Sequence, residues 1–240
     1  MRSFDPVTFN PQHPHKGPHD KRAPHPVWLM AALKVHLASA STRRVELLNE
    51  VLKGLNVEFS ASPLVSSEII PPIGMNVGSQ VEKILESKIN SAIAEFTLQS
   101  ESENEIPNFI LVADTLVEDP DDINIAMGQP VDRNGAAAML LRLSGRRHNV
   151  WSGAALLYRK ESIWVVETEV EHATVEIDEL SSEALSTLLE SDSWVGKAGA
   201  YDLAGAIGVH ARLVVGTKEC VLGFAPSIIT NLIEYSSAKS

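Results

Sequence analysis

The sequence predicts an α/β fold, in which strands alternate with amphipathic helices. Phe109–Ala113 is a continuous apolar run, which is typical of a strand buried on both faces of a sheet. Residues 78–96 repeat apolar side chains at helical spacing, and a shorter helical pattern follows the apolar segment that ends at Ala38. Strands and helices that alternate in this way favour a sheet with helices packed on it.

Composition and charge limit the classes of partner. The chain has 240 residues, 44% of them hydrophobic and 21% charged, enough to bury the core of one domain or of two fused lobes. Its formal net charge of −11 argues against nucleic acid and against an anionic membrane surface as partners. Cys220 is the single cysteine, which excludes an internal disulfide and suits a cytoplasmic location. We interpret it as a core residue.

The N-terminal segment, residues 1–26, is rich in proline and histidine. Because it has little apolar surface to offset the entropy of ordering, we predict a disordered tail; loose metal binding by its histidines is the alternative. The apolar residues 27–33 follow two basic residues, as in a secretory signal, but Lys34 and His36 interrupt the run. We therefore reject a signal peptide and expect the folded domain to span residues 34–236.

The stretch Leu37–Leu48 has the order strand, small-residue loop, helix start. Free backbone N–H groups and the positive end of the helix dipole favour an anion at such a junction. Ser39 and Ser41 add hydroxyl donors, while Arg43 and Arg44 add guanidinium groups that suit phosphate oxygens. The alternative interpretation is a serine that caps the helix, followed by two solvated arginines.

Three later segments carry further candidate charges. A loop after a short strand contains Glu68, and the helix predicted over residues 78–96 contains Lys88, for which a solvated surface lysine is the alternative. Asp114 comes directly after the buried strand at 109–113. A carboxylate just beyond the end of such a strand is where open α/β sheets place their chemistry. A turn aspartate is the alternative.

Predicted strands and helices also occur throughout the second half of the chain. Leu116–Pro130 is acidic and is predicted to be a solvated hairpin. Asn134 is predicted to cap a helix that closes near Gly145. The remaining predicted elements are strands at 149–158, 163–175 and 211–215, a helix capped by Ser181, a small-residue loop at 197–201 and a terminal helix at 226–235.

Taken in order, these segments resemble the Maf family of nucleoside triphosphate pyrophosphatases, first named for septum formation. The resemblance covers about residues 35–235. Its motifs are Leu-Ala-Ser-x-Ser-x-Arg-Arg-x-Glu-Leu-Leu at 37–48, Ala-Asp-Thr at 113–115, Leu-Ser-Gly-Arg-x-His at 143–148 and Lys-Ala-Gly-Ala-Tyr at 197–201. Glu68 and Lys88 match single family positions between the first two motifs.

The resemblance implies a fold of the Maf and inosine triphosphatase type: a mixed twisted sheet with flanking helices and two lobes around a central cleft. It implies hydrolysis of the α–β phosphoanhydride of a nucleoside triphosphate, with Mg²⁺ or Mn²⁺ as cofactor; a homodimer is common in the family. Glu68 and Asp114 would hold the metal, and Asp114 would also activate the attacking water. The substrate would be bound by Ser39, Ser41, Arg43, Arg44, Lys88 and Gln129.

The chain departs from the family pattern at several positions. Thr42 replaces a usual proline, Gln129 replaces a usual lysine, and Ala204 replaces a usual glutamine, while Gly196 stands where relatives often have an acidic residue. Losing one charged contact with phosphate costs about 1.5–3 kcal/mol. The alternative function is therefore a catalytically weak or inactive nucleotide-binding regulator of cell division with the same fold. Binding without pyrophosphate release would distinguish it.

Overall fold

The computed structural model describes residues 32–99 and 106–238. The strands are β1 (Leu33–Leu37), β2 (Val57–Ala61), β3 (Phe109–Asp119), β4 (Asp122–Met127), β5 (Arg147–Lys160), β6 (Ile163–Ile177) and β7 (Ala211–Val215). The helices are α1 (Thr42–Val51), α2 (Val77–Gln99), α3 (Arg133–Leu143), α4 (Ser182–Glu190), α5 (Lys218–Leu222) and α6 (Pro226–Ala238). Among the residues described, no helix is long and apolar enough to cross a membrane. The tail predicted over residues 1–26 lies outside them.

The strands form one mixed sheet in the order β2-β1-β3-β5-β6-β7, with β4 beside β3. β1 runs parallel to both β2 and β3, whereas β3, β5, β6 and β7 pair antiparallel in turn. The parallel strands are connected through α1 and α2, because parallel pairing requires a crossover. The prediction of an α/β fold with a mixed sheet and flanking helices is confirmed.

One edge of β3 lacks a neighbouring strand over part of its length. β1 pairs with β3 only at Phe109–Leu111, and β4 pairs with it only from Val117 onward. Within the described part of the chain, no strand pairs with that edge between these points, whereas β5 pairs with the opposite edge from Ile110 through Val117. The gap begins where β1 gives way to α1, and it opens a cleft in the sheet.

The buried side chains form three clusters. α1 and α6 cover one face of the sheet, α2 covers the other, and α3 and α4 pack where β3, β5 and β6 extend beyond the cleft. Ile110 and Leu111 enter different clusters because successive strand residues point to opposite faces. The long strands β3, β5 and β6 therefore join two packed lobes.

Two local predictions need correction. β3 continues to Asp119, so Asp114 lies within the strand and not just beyond its end. Pairing with β5 extends past this point to Val117, and that pairing depends on residues distant in sequence. The cap of α3 is Asp132, whose carboxylate accepts the N–H of Gly135, and Asn134 lies inside the helix.

The acidic hairpin is formed as predicted, by β3 and β4, but it is not solvated throughout. Glu118 and Asp119 are 8% and 7% exposed. Asp119 accepts two hydrogen bonds of 2.9 Å from Arg142 on α3. Glu118 accepts hydrogen bonds from the side chains of Asn149 and Trp151, both on β5. The prediction of a solvated hairpin missed these partners because they come from other elements.

Candidate active site

The cleft beside β3 has a volume of about 760 Å³. Its walls come from the loop before α1, the loop between β2 and α2, one face of α2, the middle of β3, the loop between β4 and α3 and the loop after α4. All of the predicted site residues line it, namely Ser39, Ser41, Arg43, Arg44, Glu68, Lys88, Asp114 and Gln129. Ala204 is not among the residues that line the cleft.

The N-terminus of α1 forms one wall. Ser41 is its N-cap residue, but the side chain makes no capping hydrogen bond. The backbone N–H groups of the first turn have no intrahelical acceptor, and no acidic side chain lies in that turn. No acidic side chain of this turn therefore offsets the positive end of the helix dipole. Ser41 thus occupies the N-cap position that the alternative interpretation expects, but its hydroxyl does not make the capping hydrogen bond.

Arg44 is 8% exposed and is anchored by the protein. Its Nε donates to the carbonyl of Gly223 at 2.9 Å, its Nη1 to Ser39 Oγ at 3.2 Å and its Nη2 to Thr115 Oγ1 at 2.9 Å. Burial lowers the pKa of this guanidinium, and the nearby carboxylate of Asp114 opposes that effect. The alternative of a solvated arginine is wrong at this position.

Gly223 permits the close approach of Arg44. Its φ is +112°, and a Cβ added there would lie 2.9 Å from Arg44 Nε. A side chain would thus meet both backbone strain and a steric conflict. Gly223 was not among the predicted site residues, because its contact with Arg44 joins positions that are 179 residues apart in the chain.

Arg43 is held differently. Its Nε is buried and has no hydrogen-bond partner among the described residues. Burial lowers the pKa of the guanidinium, and the carboxylate of Asp202 is the largest opposing influence. Leaving a buried donor unpaired costs about 1–3 kcal/mol. A donor held at this cost on the wall of a cleft is suited to a ligand acceptor.

Glu68, Lys88 and Asp114 form a bridged cluster. Lys88 Nζ lies 2.7 Å from Glu68 Oε1 and 2.7 Å from Asp114 Oδ1. The Lys88 side chain is only 16% exposed, so the alternative of a solvated surface lysine is wrong. Asp114 Oδ2 is buried and has no hydrogen-bond partner among the described residues. The cluster therefore holds one carboxylate oxygen in place and leaves the other free to accept.

Lys197 is a cleft residue that sequence reasoning did not select. Its side chain is 16% exposed, and its Nζ lies 3.8 Å from Asp202 Oδ2. Burial lowers the pKa of the amine, and Arg43 lowers it further. Gly199, at φ +68°, donates its N–H to the carbonyl of Gly128 at 3.1 Å and so joins this loop to the loop between β4 and α3. The Lys-Ala-Gly-Ala-Tyr motif was the signal that could have identified Lys197.

The Leu-Ser-Gly-Arg-x-His motif lies away from the cleft wall. Arg146 forms an ion pair with Asp121 of the hairpin. His148 is 4% exposed, its Nε2 is 2.8 Å from the hydroxyl of Tyr201, and burial lowers its pKa to about 4. This motif therefore supports the lobe built by α3 and α4. Cys220 is also buried, which confirms its interpretation as a core residue.

The chain is similar to proteins of one known family. The family described as Maf-like protein matches residues 34–235. A dTTP/UTP pyrophosphatase of Clostridium acetobutylicum is 30% identical over 191 residues, which cover 80% of this chain and 92% of the relative. A dTTP/UTP pyrophosphatase of Dechloromonas aromatica is 32% identical, with 80% of this chain and 91% of the relative covered.

A human relative, a probable bifunctional dTTP/UTP pyrophosphatase/methyltransferase protein, is 31% identical over 199 residues. That match covers 80% of this chain and 30% of the human protein. Since the family match spans almost the whole of the described structure and includes every wall of the cleft, the chain belongs to the Maf-like family.

Proposed function

We propose that this protein hydrolyses a pyrimidine nucleoside triphosphate at the α–β phosphoanhydride, giving the nucleoside monophosphate and pyrophosphate. Two kinds of observation support the proposal. The similar proteins named above are dTTP/UTP pyrophosphatases, and they match this chain over nearly their full length in the two bacterial cases. The cleft also combines anion-binding groups with carboxylates that can bind a metal or activate water.

The cationic side chains that line the cleft suit a triphosphate. Arg43, Lys88 and Lys197 line the cleft together with Arg44, whose remaining N–H groups are not used by the bonds described above. This local cluster is set in a chain whose net charge is −11. Cations fixed in advance stabilise the charge that develops on the leaving pyrophosphate, and they need no rearrangement during the reaction.

Asp114 carries the proposal most directly. Its Oδ1 is fixed by Lys88 at 2.7 Å, while its buried Oδ2 has no protein partner within the described chain. A buried carboxylate oxygen left without a donor is costly unless a ligand satisfies it. We assign to this oxygen the binding of a metal ion or the acceptance of a proton from the attacking water.

The donor set fits a hard divalent cation. Magnesium is commonly held by one or two carboxylates, with substrate phosphates and water completing its octahedron. Glu68 and Asp114 offer those carboxylates, although Lys88 bridges one oxygen of each. Among the residues described, no group of three or more His, Cys, Asp or Glu side chains could hold a metal ion, so substrate phosphates and water would have to supply the remaining ligands. When bound, such a cation would neutralise phosphate charge.

The test is pyrophosphate release from dTTP, UTP and a panel of other nucleoside triphosphates, with Mg²⁺ or Mn²⁺ and with each metal omitted. Asp114→Asn should lower kcat by about 10²–10⁴-fold, because the amide can neither accept a proton nor replace the carboxylate charge. Asp192→Asn is the matched control, since Asp192 is exposed and does not line the cleft.

Release by the native protein, lost in Asp114→Asn and retained in Asp192→Asn, would support the proposal and show that the Asp114 carboxylate is required for the reaction. Absence of release from every nucleotide, with binding intact, would overturn it. The nucleotide-binding regulator would then be the better account. Omission of the metal should abolish release without unfolding the protein, and unchanged release would contradict the proposed cofactor.

A further inference from the structure

A continuous chain of hydrogen bonds leads to the wall of the cleft that the N-terminus of α1 forms. Ser152 Oγ lies 2.7 Å from the carbonyl of Cys220, and Thr115 Oγ1 lies 3.0 Å from Ser152 Oγ. Arg44 Nη2 donates to Thr115 Oγ1 at 2.9 Å, and Arg44 Nη1 donates to Ser39 Oγ at 3.2 Å. The chain thus runs from α5 through β5 and β3 to the loop before α1.

The direction of each bond follows from the groups at its two ends. A carbonyl can only accept, so Ser152 donates its proton to Cys220. Ser152 has then no proton left for Thr115, so Thr115 is the donor in the cross-strand pair. A guanidinium N–H can only donate, so the Thr115 hydroxyl oxygen accepts from Arg44. Thr115 can do so while it donates its own proton to Ser152.

The end of this chain determines what the Ser39 hydroxyl can do. Ser39 Oγ accepts from Arg44 Nη1 and also from the backbone N–H of Ser41, each at 3.2 Å. Both acceptor positions of the hydroxyl are therefore used. No acceptor for its proton is found among residues 32–99 and 106–238, and Ser39 lines the cleft. Ser39 is consequently set as a donor.

We propose that Thr115 and Ser152 are positioning residues that act through Arg44 to fix Ser39 as a hydrogen-bond donor to a substrate phosphate oxygen. The phosphate as ligand rests on the proposed function. Phosphate oxygens accept hydrogen bonds, so a hydroxyl that can only donate favours them over a ligand group that presents its own N–H or O–H. Asp114 and Thr115 are neighbours on β3. The side chain of Asp114 accepts a hydrogen bond from Lys88, and that of Thr115 accepts one from Arg44.

The test measures binding of inorganic tripolyphosphate by calorimetry, together with kcat and KM for dTTP. Thr115→Val keeps the shape of the side chain but removes the hydroxyl that accepts from Arg44. We expect it to weaken tripolyphosphate binding by about 10- to 100-fold, since a hydrogen bond to a charged group is lost. Thr115→Ser restores the hydroxyl and should bind within about threefold of the native protein. Thr168→Val, at an exposed position on β6, is the control.

A double-mutant cycle distinguishes positioning from a general loss of structure. Ser39→Ala should weaken binding about tenfold in the native background and less than about threefold in the Thr115→Val background, because the two residues act along one chain. Additive penalties, or a Thr115→Ser protein as weak as Thr115→Val, would overturn the inference. Thermal unfolding of each variant verifies that it is folded.

These outcomes separate the inference from the proposed function. If dTTP is not hydrolysed but tripolyphosphate binding follows the expected pattern, the proposed reaction fails and the positioning chain stands. If dTTP is hydrolysed but the Thr115 variants bind and turn over as the native protein does, the positioning chain fails alone.

Ser152→Ala should give a smaller loss of tripolyphosphate binding, about threefold to tenfold, because it frees the proton of Thr115 without removing the acceptor of Arg44.

Discussion

Two clusters of opposite charges differ in how completely their hydrogen-bonding groups are used. In the hairpin cluster, Asp119 accepts from both Nε and Nη2 of Arg142, and Asp121 pairs with Arg142 and Arg146. In the cleft cluster, one oxygen of Asp114 and the Nε of Arg43 are buried without a partner among the described residues. The residue types are alike, but of these two clusters only the one in the cleft contains buried hydrogen-bonding atoms without a partner.

The difference indicates what each cluster contributes. The carboxylate of Asp119 in the hairpin is satisfied by Arg142 of α3, so this ion pair stabilises the packing of the hairpin against α3. The cleft groups remain partly desolvated and unpaired, which lowers the stability of the free protein and favours binding of a ligand that completes them. Substitutions in the cleft should therefore affect activity most, and substitutions in the hairpin should affect stability most.

Replacing Arg43 of the cleft by glutamine should have a larger effect than any substitution in the hairpin cluster. Loss of this cation should lower kcat/KM for the hydrolysed nucleotide by about 10²–10³-fold, because a fixed charge near the developing anion is lost. The thermal midpoint should stay unchanged or rise slightly, since an unpaired buried donor is removed. The same substitution at the α3 residue that binds the hairpin, Arg142→Gln, should leave kcat/KM within about threefold and lower the thermal midpoint, since Asp119 loses its partner. Equal losses of activity in the two variants would remove the distinction.

Asp119→Asn should have a moderate effect on stability. It weakens a paired, buried carboxylate, so we expect a loss of about 1–2 kcal/mol in the free energy of unfolding. For a chain of this size that loss lowers the thermal midpoint by about 2–8 °C. Calorimetry measures the midpoint, with Asp192→Asn as the control. A native midpoint together with a large loss of activity would assign the hairpin to the active site.

The smallest expected effect is a pH dependence of stability. Hydrogen bonding from Arg142 lowers the pKa of Asp119 below its usual value of 3.8. Because the folded pKa is the lower one, the contribution of this pair is fully present above the unfolded pKa. It is lost as the pH falls through the folded pKa.

Denaturant unfolding between pH 5 and about pH 2 measures this dependence. The native protein should lose more free energy of unfolding over that range than Asp119→Asn, in which the amide does not titrate. Parallel curves for the two proteins would contradict the assignment. The comparison uses stability alone, so it does not depend on the proposed reaction.

Local sequence patterns determined a large part of this protein. The apolar run of β3, the period of α2 and the junction of β1 with α1 each depend on a few neighbouring residues, and all three appear in the structure. The predicted site residues line one cleft because the gap beside β3 brings the corresponding loops together. The family resemblance supported Glu68 and Lys88, which match single family positions and had no distinctive local pattern of their own.

The tertiary structure alone decided which buried side-chain groups have hydrogen-bond partners within the protein. Arg43 and Arg44 are adjacent and chemically identical, yet Arg44 is anchored to Gly223 while Arg43 Nε has no partner in the described chain. Likewise, β3 extends past Asp114 because β5 pairs with it, and Lys197 reaches the cleft because Gly199 binds the carbonyl of Gly128. Helix and strand periods are set by neighbouring residues, whereas burial and hydrogen-bond partners are set by residues far apart in the chain.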